Sequence, residues 1–319
     1  MHAVLTDEQT AIADAARDLA ADGLAGARPA LDGGDLPAQP DRALFEGFNG
    51  LGVDEAAGGA GGTLVERGLV ARELGRTVTP TAWLAHQLAL QVAAGAGLDV
   101  TDGMRADARW SVADGDLGLV RHGVGAEVVV VVDGDGVELR PVGDAEPRRA
   151  MDASRPVAEV SLGPVIARRD VGGRDALARA RAVIAASLAG TGLGAVERAA
   201  AYALEREQFG KPIAIFQGVS HQLAEAWTAV ELSWSLALYA CWAVAGSRPD
   251  AAQAVDAAVA KAGNAAIFAA ERAMQVHGGI GITWEADPHL FLRRAMGDDA
   301  WLGGSRDAEL ALGRAVLAG

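Results

Sequence analysis

The chain has 319 residues, half of them apolar, and a formal net charge of −14 at pH 7. This composition predicts a folded protein of about two domains and excludes an intrinsically disordered chain. The acidic excess argues against nucleic acid or an anionic membrane as main partner, because both bind clustered Lys and Arg side chains.

Cysteine content and the first residues bear on location. Cys241 is the single cysteine, so an internal disulfide framework is excluded, as expected in a reducing cytoplasm. Residues 1–4 show no basic segment leading into an apolar one, so no signal peptide is predicted. The apolar run 232–246 is shorter than the roughly 20 residues that span a bilayer. We therefore expect a cytoplasmic protein without a membrane segment.

Residues 1–108 predict an N-terminal helical domain. Thr6 suits a helix N-cap, and apolar residues recur after it at helical spacing. Helices are predicted over three ranges, 6–30, 64–74 and 83–94. Glycine- and proline-bearing loops are predicted between them, over residues 32–41 and 58–62.

Residues 109–165 predict a shortened β domain. Its clearest strand is the run of five valines from Val128 to Val132, which lies between turn-forming glycines. Shorter strands are predicted over residues 138–142 and 157–162. Residues 166–319 then return to long helical patterns, over 176–206, 216–245 and 249–277, typical of an antiparallel, oligomer-forming bundle.

A first motif lies after the first of these long helices. It reads Arg-Glu-Gln-Phe-Gly-Lys-Pro-Ile from Arg206 to Ile213, followed by Phe216 and Gln217. The planar Arg guanidinium suits bidentate contact with a phosphate, and the Gly and Pro residues break the helix where backbone N–H groups become free. Taken alone, the motif equally suits a surface arginine that closes a helix.

A second motif ends the last of the long helices. The run Gln275 to Gly281 places three glycines within four positions, so that a ligand can approach the backbone without hindrance from a Cβ atom. A glycine-rich helix C-cap explains this motif equally well. The two motifs together in one helical half of the chain are specific.

Together, the motifs resemble the acyl-CoA dehydrogenase family of flavoenzymes, which desaturate acyl-CoA thioesters between the alpha and beta carbons. The resemblance covers residues 1 to about 100 and about 150 to 319. It implies an α+β multidomain fold with an N-terminal helical domain, an abbreviated middle β domain and a C-terminal antiparallel helical bundle. Weaker matches support it at residues 51–53, 58–62 and 73–76.

The resemblance also implies a cofactor site, since FAD lies across a dimer interface in this family. Carried over onto this sequence, contacts to the adenosine-diphosphate end of FAD fall on Arg206, Gln208, Phe209, Gln217, Gln275, Gly278 and Gly279. Gln208 stands where the family commonly has Thr or Ser.

The catalytic base of the family is missing. The glutamate that abstracts the alpha proton usually lies nine residues after an arginine that corresponds to Arg293, and that position is Leu302. A minority of members place it at the position of Ala180. Neither side chain accepts a proton, so no catalytic residue is predicted. The two strand motifs that frame the flavin ring are also absent from residues 109–165.

The retained residues thus concern the far end of FAD, and the lost ones concern the ring and the thioester. This division resembles the degenerate, shorter subunit of actinobacterial heteromeric acyl-CoA dehydrogenases of steroid side-chain degradation. It implies a heterotetramer in which a homologous full-length partner supplies the glutamate and the acyl-CoA site. The chain alone is expected to be inactive.

Two other interpretations remain open at this point. The chain could be a self-sufficient homo-oligomeric flavoenzyme whose base has moved to Glu285 or to Asp298 and Asp299, or a flavin-free scaffold or regulatory homologue. The six histidines show no pair at metal-ligand spacing, so no metal site is predicted.

Overall fold

Helices occupy both ends of the chain and strands its middle in the computed structural model, which describes residues 5–31, 41–53, 55, 58–115 and 118–318. The α-helices are α1 (Asp7–Ala20), α2 (Gly23–Leu31), α3 (Asp41–Phe48), α4 (Leu64–Arg76), α5 (Trp83–Gly95), α6 (Gly173–Glu205), α7 (Gln217–Ala245), α8 (Ala251–His277), α9 (Pro288–Asp299) and α10 (Ser305–Ala318). The strands are β1 (Trp110–Asp114), β2 (Val120–Arg121), β3 (Val128–Asp133), β4 (Gly136–Arg148), β5 (Val157–Leu162), β6 (Ala167–Asp170), β7 (Glu207–Gln208) and β8 (Lys211–Pro212).

The N-cap predicted at Thr6 is confirmed, but the helix predicted over residues 6–30 is interrupted by a turn at residues 21–22, between α1 and α2. Thr6 caps α1 in a reciprocal capping box with Gln9, in which each side chain accepts from the other residue's backbone N–H. The Gln9 amide then donates to Glu66 of α4 at 2.7 Å, which joins the two helices. Of the loop predicted over residues 32–41, positions 32–40 lie outside the described residues.

The middle sheet has the order β1-β3-β4-β5-β2, with β6 paired to β4. The five predicted valines form β3, which pairs parallel to β1 and antiparallel to β4. Strand β6 extends the sheet past the predicted boundary at residue 165, so the helical bundle begins at Gly173 instead of 166. This edge strand was missed because it is charged and mostly exposed, and its pairing depends on main-chain hydrogen bonds.

The C-terminal bundle is built on α6, α7 and α8, which pack against one another. Two glycines let α6 approach α4 closely: a Cβ atom on Gly190 or Gly194 would lie 1.9 Å from a carbonyl oxygen of α4. By length and composition alone α7 would also suit a membrane span. It packs against α6 and α8, and 33% of its most apolar stretch is buried within this chain.

The direction of these helices positions the site. Short connections join α6 to α7 and α7 to α8, so the chain reverses twice and α6 runs in the same direction as α8. The C-terminal ends of α6 and α8 therefore meet the N-terminal end of α7 at one end of the bundle.

Candidate cofactor and partner site

All seven predicted FAD contacts lie at this end of the bundle, and all seven are exposed. Arg206 is the C-cap of α6, and Gln217 is the first residue of α7. Gln275 lies in the last turn of α8, and Gly278 is its C-cap. The structure thus brings together two motifs that are far apart in the sequence.

A two-residue hairpin fixes the segment after Arg206. Phe209 and Gly210 connect β7 to β8 with φ values of 55° and 72°, the positive values that a type I′ turn requires at both positions. The backbone N–H of Arg206 donates to the Tyr202 carbonyl at 2.8 Å, and its carbonyl accepts from the Ile213 N–H at 2.8 Å. These bonds hold the main chain, and the Arg206 side chain is exposed.

An exposed aromatic pair flanks this turn. The Phe209 side chain is 91% exposed, and its ring meets that of Phe216 edge-on, with the centroids 6.2 Å apart. An aromatic side chain so fully exposed, in a left-handed backbone conformation, is unusual in an isolated chain. It marks a surface that suits a ligand or a second chain.

Glycines form an open floor beside Arg206. A Cβ atom on Gly210, Gly218, Gly278 or Gly279 would meet no other atom within 4 Å. Gly218 lies in the first turn of α7, where helical N–H groups have no intrahelical partner and where no acidic side chain competes for them. An open backbone floor, a helix N-terminus and an exposed guanidinium are the groups that hold a diphosphate, so these residues fit the adenosine-diphosphate end of FAD.

Gly218 was missed in the sequence. The available signal was its position directly after Gln217, at a helix start, where a glycine is costly unless a close approach requires it.

The charge around this floor is balanced. The C-terminal ends of α6 and α8 present partly negative carbonyl groups, and Glu205 and Glu207 flank Arg206. Lys211 lies on the hairpin that directly follows Arg206. Attraction for a phosphate therefore depends on a few positioned groups and not on a broad basic patch.

The two positions expected for a catalytic base lie beside another cleft. Leu302 is 4% exposed and Ala180 is fully buried. Arg181, next to Ala180, donates to the carbonyl of Gly303, next to Leu302, at 3.4 Å. Leu177, Arg181, Leu302 and Gly303 line one cleft of about 300 Å³. Leu302 thus lines the cleft and Ala180 directly precedes one of its lining residues, and neither carries a proton acceptor.

The acids proposed as relocated bases have other surroundings. Asp298 is buried and pairs with Arg155 at 3.5 Å. Asp299 accepts from the N–H and the hydroxyl of Ser305, at 2.9 and 3.0 Å. Glu285 is exposed, and none of these three residues lines the cleft.

Two acids that sequence reasoning missed do line the cleft, Asp114 and Asp307. Desolvation raises the pKa of the Asp114 carboxyl, although nearby Arg181 opposes the shift. No local pattern marks either residue, because the cleft forms only when β1, α6 and the segment that joins α9 to α10 come together.

Comparison with known proteins defines the class. Residues 6–99 match the acyl-CoA dehydrogenase N-terminal domain, and residues 174–317 match the acyl-CoA dehydrogenase C-terminal domain. The chain is 30% identical to the acyl-CoA dehydrogenase IpdE2 of Mycolicibacterium smegmatis, in an alignment that covers 82% of each protein. The chain therefore belongs to the acyl-CoA dehydrogenase family.

A longer relative is FadE34, an acyl-CoA dehydrogenase of Mycobacterium tuberculosis. It is 35% identical over 337 residues, an alignment that covers 96% of this chain but only 47% of FadE34. The chain thus spans about half the length of that relative.

Solved structures share the fold. A chain of the ChsE4-ChsE5 complex from Mycobacterium tuberculosis matches with a TM-score of 0.85 at 22% identity, and the match covers 100% of this chain and 100% of that chain. A variant of the Tcur3481-Tcur3483 steroid ACAD has a TM-score of 0.82 at 24% identity, covering 98% of both chains. These likenesses confirm the predicted α+β architecture, with helical domains on either side of a small β region.

Proposed function

We propose that this chain is the non-catalytic subunit of a heteromeric, FAD-dependent acyl-CoA dehydrogenase. It holds the phosphate and adenine end of FAD, while a homologous full-length partner supplies the glutamate base and the acyl-CoA site. One observation carries the proposal. The residues expected to hold the phosphates lie together at one end of the bundle, whereas both positions expected to hold a base carry apolar side chains, Leu302 and Ala180.

Exposure supports a shared site. All seven contact residues lie on the surface of the single chain, so a cofactor seated there would be open to water on its other side. A second chain that covers it would desolvate the phosphate contacts and strengthen them.

The comparisons support a two-chain arrangement. A neighbour in fold, ChsE4-ChsE5, is a complex of two named chains. FadE34 has, beyond the half that aligns with this chain, enough length for a second chain of similar size. We propose a heterotetramer of two such pairs, located in the cytoplasm.

The arginine and the glutamines have different roles in the proposed site. FAD, when bound, supplies the acceptor for the beta hydride. Arg206 neutralises phosphate charge, and its fork geometry favours two parallel hydrogen bonds. The amides of Gln208, Gln217 and Gln275 can donate or accept, so they suit the polar adenosine-diphosphate portion.

The substrate class follows from family membership and from one neighbour. We propose a CoA thioester, with a steroid side chain as its acyl part, supported by the steroid ACAD among the structural neighbours. No residue of this chain is assigned to the sterol, since the proposal places the acyl group mainly in the partner.

The test is a visible spectrum with FAD-to-chain stoichiometry. It is measured on this chain alone and after co-expression with a full-length acyl-CoA dehydrogenase chain from the same genome. We expect flavin only in the mixture, near one FAD per pair of chains, and desaturation only there. Turnover of an acyl-CoA by this chain alone would contradict the proposal, and a colourless mixture with every partner would favour a flavin-free scaffold.

A second function is favoured by the position of Asp114, whose carboxyl lines the same cleft as Leu302 and whose pKa is raised by desolvation. A self-sufficient enzyme would need a base there, and a carboxyl with a raised pKa suits proton abstraction. If the chain alone is yellow and active, Asp114→Asn should abolish that activity, and Asp144→Asn, at an exposed aspartate of β4 outside the cleft, is the matched control.

A further inference from the structure

A stacked pair of rings joins the two helices that carry the flavin motifs. Tyr202, in the last turn of α6, lies over His277, the last residue of α8, with ring centroids 4.2 Å apart and planes inclined by 18°. Both side chains are partly buried. The stack lies where both helices end, so it connects the C-terminal ends of α6 and α8 directly.

Each of the two residues is linked to a predicted FAD contact through the main chain. The Tyr202 carbonyl accepts the backbone N–H of Arg206 at 2.8 Å. His277 immediately precedes Gly278, and its Nδ1 lies 2.7 Å from the Ala273 carbonyl, one turn earlier in α8. Since Nδ1 must carry the proton to donate there, this bond also fixes the plane of the ring.

We propose that Tyr202 and His277 are positioning residues, which set the distance between Arg206 and the Gly278–Gly279 backbone so that both reach one diphosphate. This inference rests on the proposed function. The physical reason is that helix ends fray, and a ligand held by two frayed ends must order both on binding. A stack formed before binding removes that cost.

The phenol oxygen of Tyr202 is not needed for this role. The stack uses the ring, and the bond to Arg206 uses the main chain. Tyr202→Phe should therefore retain FAD, whereas Tyr202→Ala and Tyr202→Leu should both lose the stack. The leucine variant fills part of the space, so it separates loss of the stacked ring from loss of apolar volume.

The chain offers a matched control. Tyr239 is the other of the two tyrosines and lies near the C-terminal end of α7, away from Gln217. Its ring centroid is 5.6 Å from that of Trp242. Tyr239→Ala removes an aromatic contact of the bundle far from the flavin motifs. It should lower stability without changing FAD affinity.

The experiment measures the FAD dissociation constant of the co-purified complex, by titrating FAD into the apo form, together with its thermal unfolding midpoint. We expect about tenfold weaker binding for Tyr202→Ala and Tyr202→Leu, since a stacked aromatic pair contributes up to about that factor. Tyr202→Phe should bind within about twofold of wild type. Unchanged affinity in both the Ala and Leu variants would overturn the inference, as would an equal loss in Tyr239→Ala.

A double-mutant cycle tests positioning directly. If Tyr202 acts through Arg206, the loss caused by Arg206→Ala should shrink in the Tyr202→Ala background, because the guanidinium is already misplaced. Independent losses that simply multiply would contradict positioning. The two proposals also fail differently: if Arg206→Ala weakens FAD binding and Tyr202→Ala does not, only the inference is wrong. If wild type binds no FAD with any partner, the proposed function itself is wrong.

Discussion

Arg206 is an exposed arginine placed where two helix ends meet the start of a third. Its backbone is held by the Tyr202 carbonyl and the Ile213 N–H, so its position is defined, while its side chain is exposed and forms no ion pair with the residues that the structure describes. A defined backbone and a free guanidinium are what a phosphate contact requires, because the side chain need not break an existing ion pair to bind.

Arg206→Ala should weaken FAD binding to the complex by about 1.5–3 kcal/mol, or roughly 10- to 150-fold, the range for a hydrogen bond to a charged group. Arg206→Lys should recover part of this loss, since it keeps the charge but not the fork. The measurement is the FAD dissociation constant of the complex. The control is Arg248→Ala, at an exposed arginine that pairs with Asp250 near the other end of α7, and flavin content unaffected by Arg206→Ala would rule out the assigned contact.

For Leu302, the sequence indicates the residue type and its place after Arg293 but not its conformation or its neighbours. Its place after Arg293 predicts that it occupies the position of the family's base, and leucine cannot take a proton. Its φ of 55°, a left-handed conformation that leucine rarely adopts, and its place beside Arg181 and Gly303 appear only in the structure.

At the scale of elements, a buried histidine joins the N-terminal helices to the sheet. His86 of α5 accepts the Trp110 N–H of β1 on Nδ1 at 2.9 Å, and its Nε2 lies 3.0 Å from the Gly103 carbonyl. These contacts require a neutral ring. Burial lowers the pKa of His86 to about 3.

The hydrogen bonds of His86 make the contact between α5 and β1 sensitive to acid. His86 takes up a proton near pH 6.5 in the unfolded chain but only near pH 3 in the folded chain. Its contribution to the stability of the fold is therefore complete above pH 6.5 and is lost as the pH falls toward 3. The free energy of unfolding should drop by up to roughly 1.4 kcal/mol per pH unit in that range for each such histidine. Burial likewise lowers the pKa of His122 to about 3, so it adds to the same slope.

His86→Leu should lower stability at pH 7 by about 1–3 kcal/mol, because the Trp110 N–H and the Gly103 carbonyl lose their partner. It should also flatten the loss of stability between pH 6.5 and pH 3. Urea unfolding across that pH range measures both effects. Exposed His221 provides the control, and a His86→Leu chain with the same acid slope as wild type would refute the explanation.

At the scale of the whole molecule, one buried ion pair ties three regions together. Arg294 of α9 pairs with Asp152 at 2.6 Å and donates to the Ser154 hydroxyl at 2.7 Å, both in the segment before β5. It also donates to the Val78 carbonyl, just after α4, at 3.3 Å. The N-terminal helices, the sheet segment and the C-terminal bundle therefore share one buried charge network.

Arg294→Ala should destabilise the chain by about 3–5 kcal/mol, because Asp152 would keep a buried charge without its partner. Arg148→Ala breaks an exposed pair with Glu159 and should cost less than about 1 kcal/mol. Denaturant unfolding of both variants gives the comparison. Similar losses of unfolding free energy in the two variants would show that burial does not increase the contribution of the Arg294 ion pair.

The sequence alone determined much of the fold. Apolar spacing predicted α4 to α8 and the cap at Thr6, and β-branched residues predicted β3, because these signals act between neighbours along the chain. It could not reveal β6, whose charged residues resemble a loop and whose pairing depends on β4.

For the site, the sequence determined which residue types are present and which are missing. The presence of the guanidinium and the glycines, and the absence of the glutamate, follow from the residue type at each single position. Only the tertiary structure decided which of them meet. The parallel course of α6 and α8 brings the two motifs to one end of the bundle. The packing of β1 and α6 with the segment between α9 and α10 places Asp114 and Leu302 in one cleft. Such meetings depend on how segments far apart in the chain pack, and no local pattern encodes that.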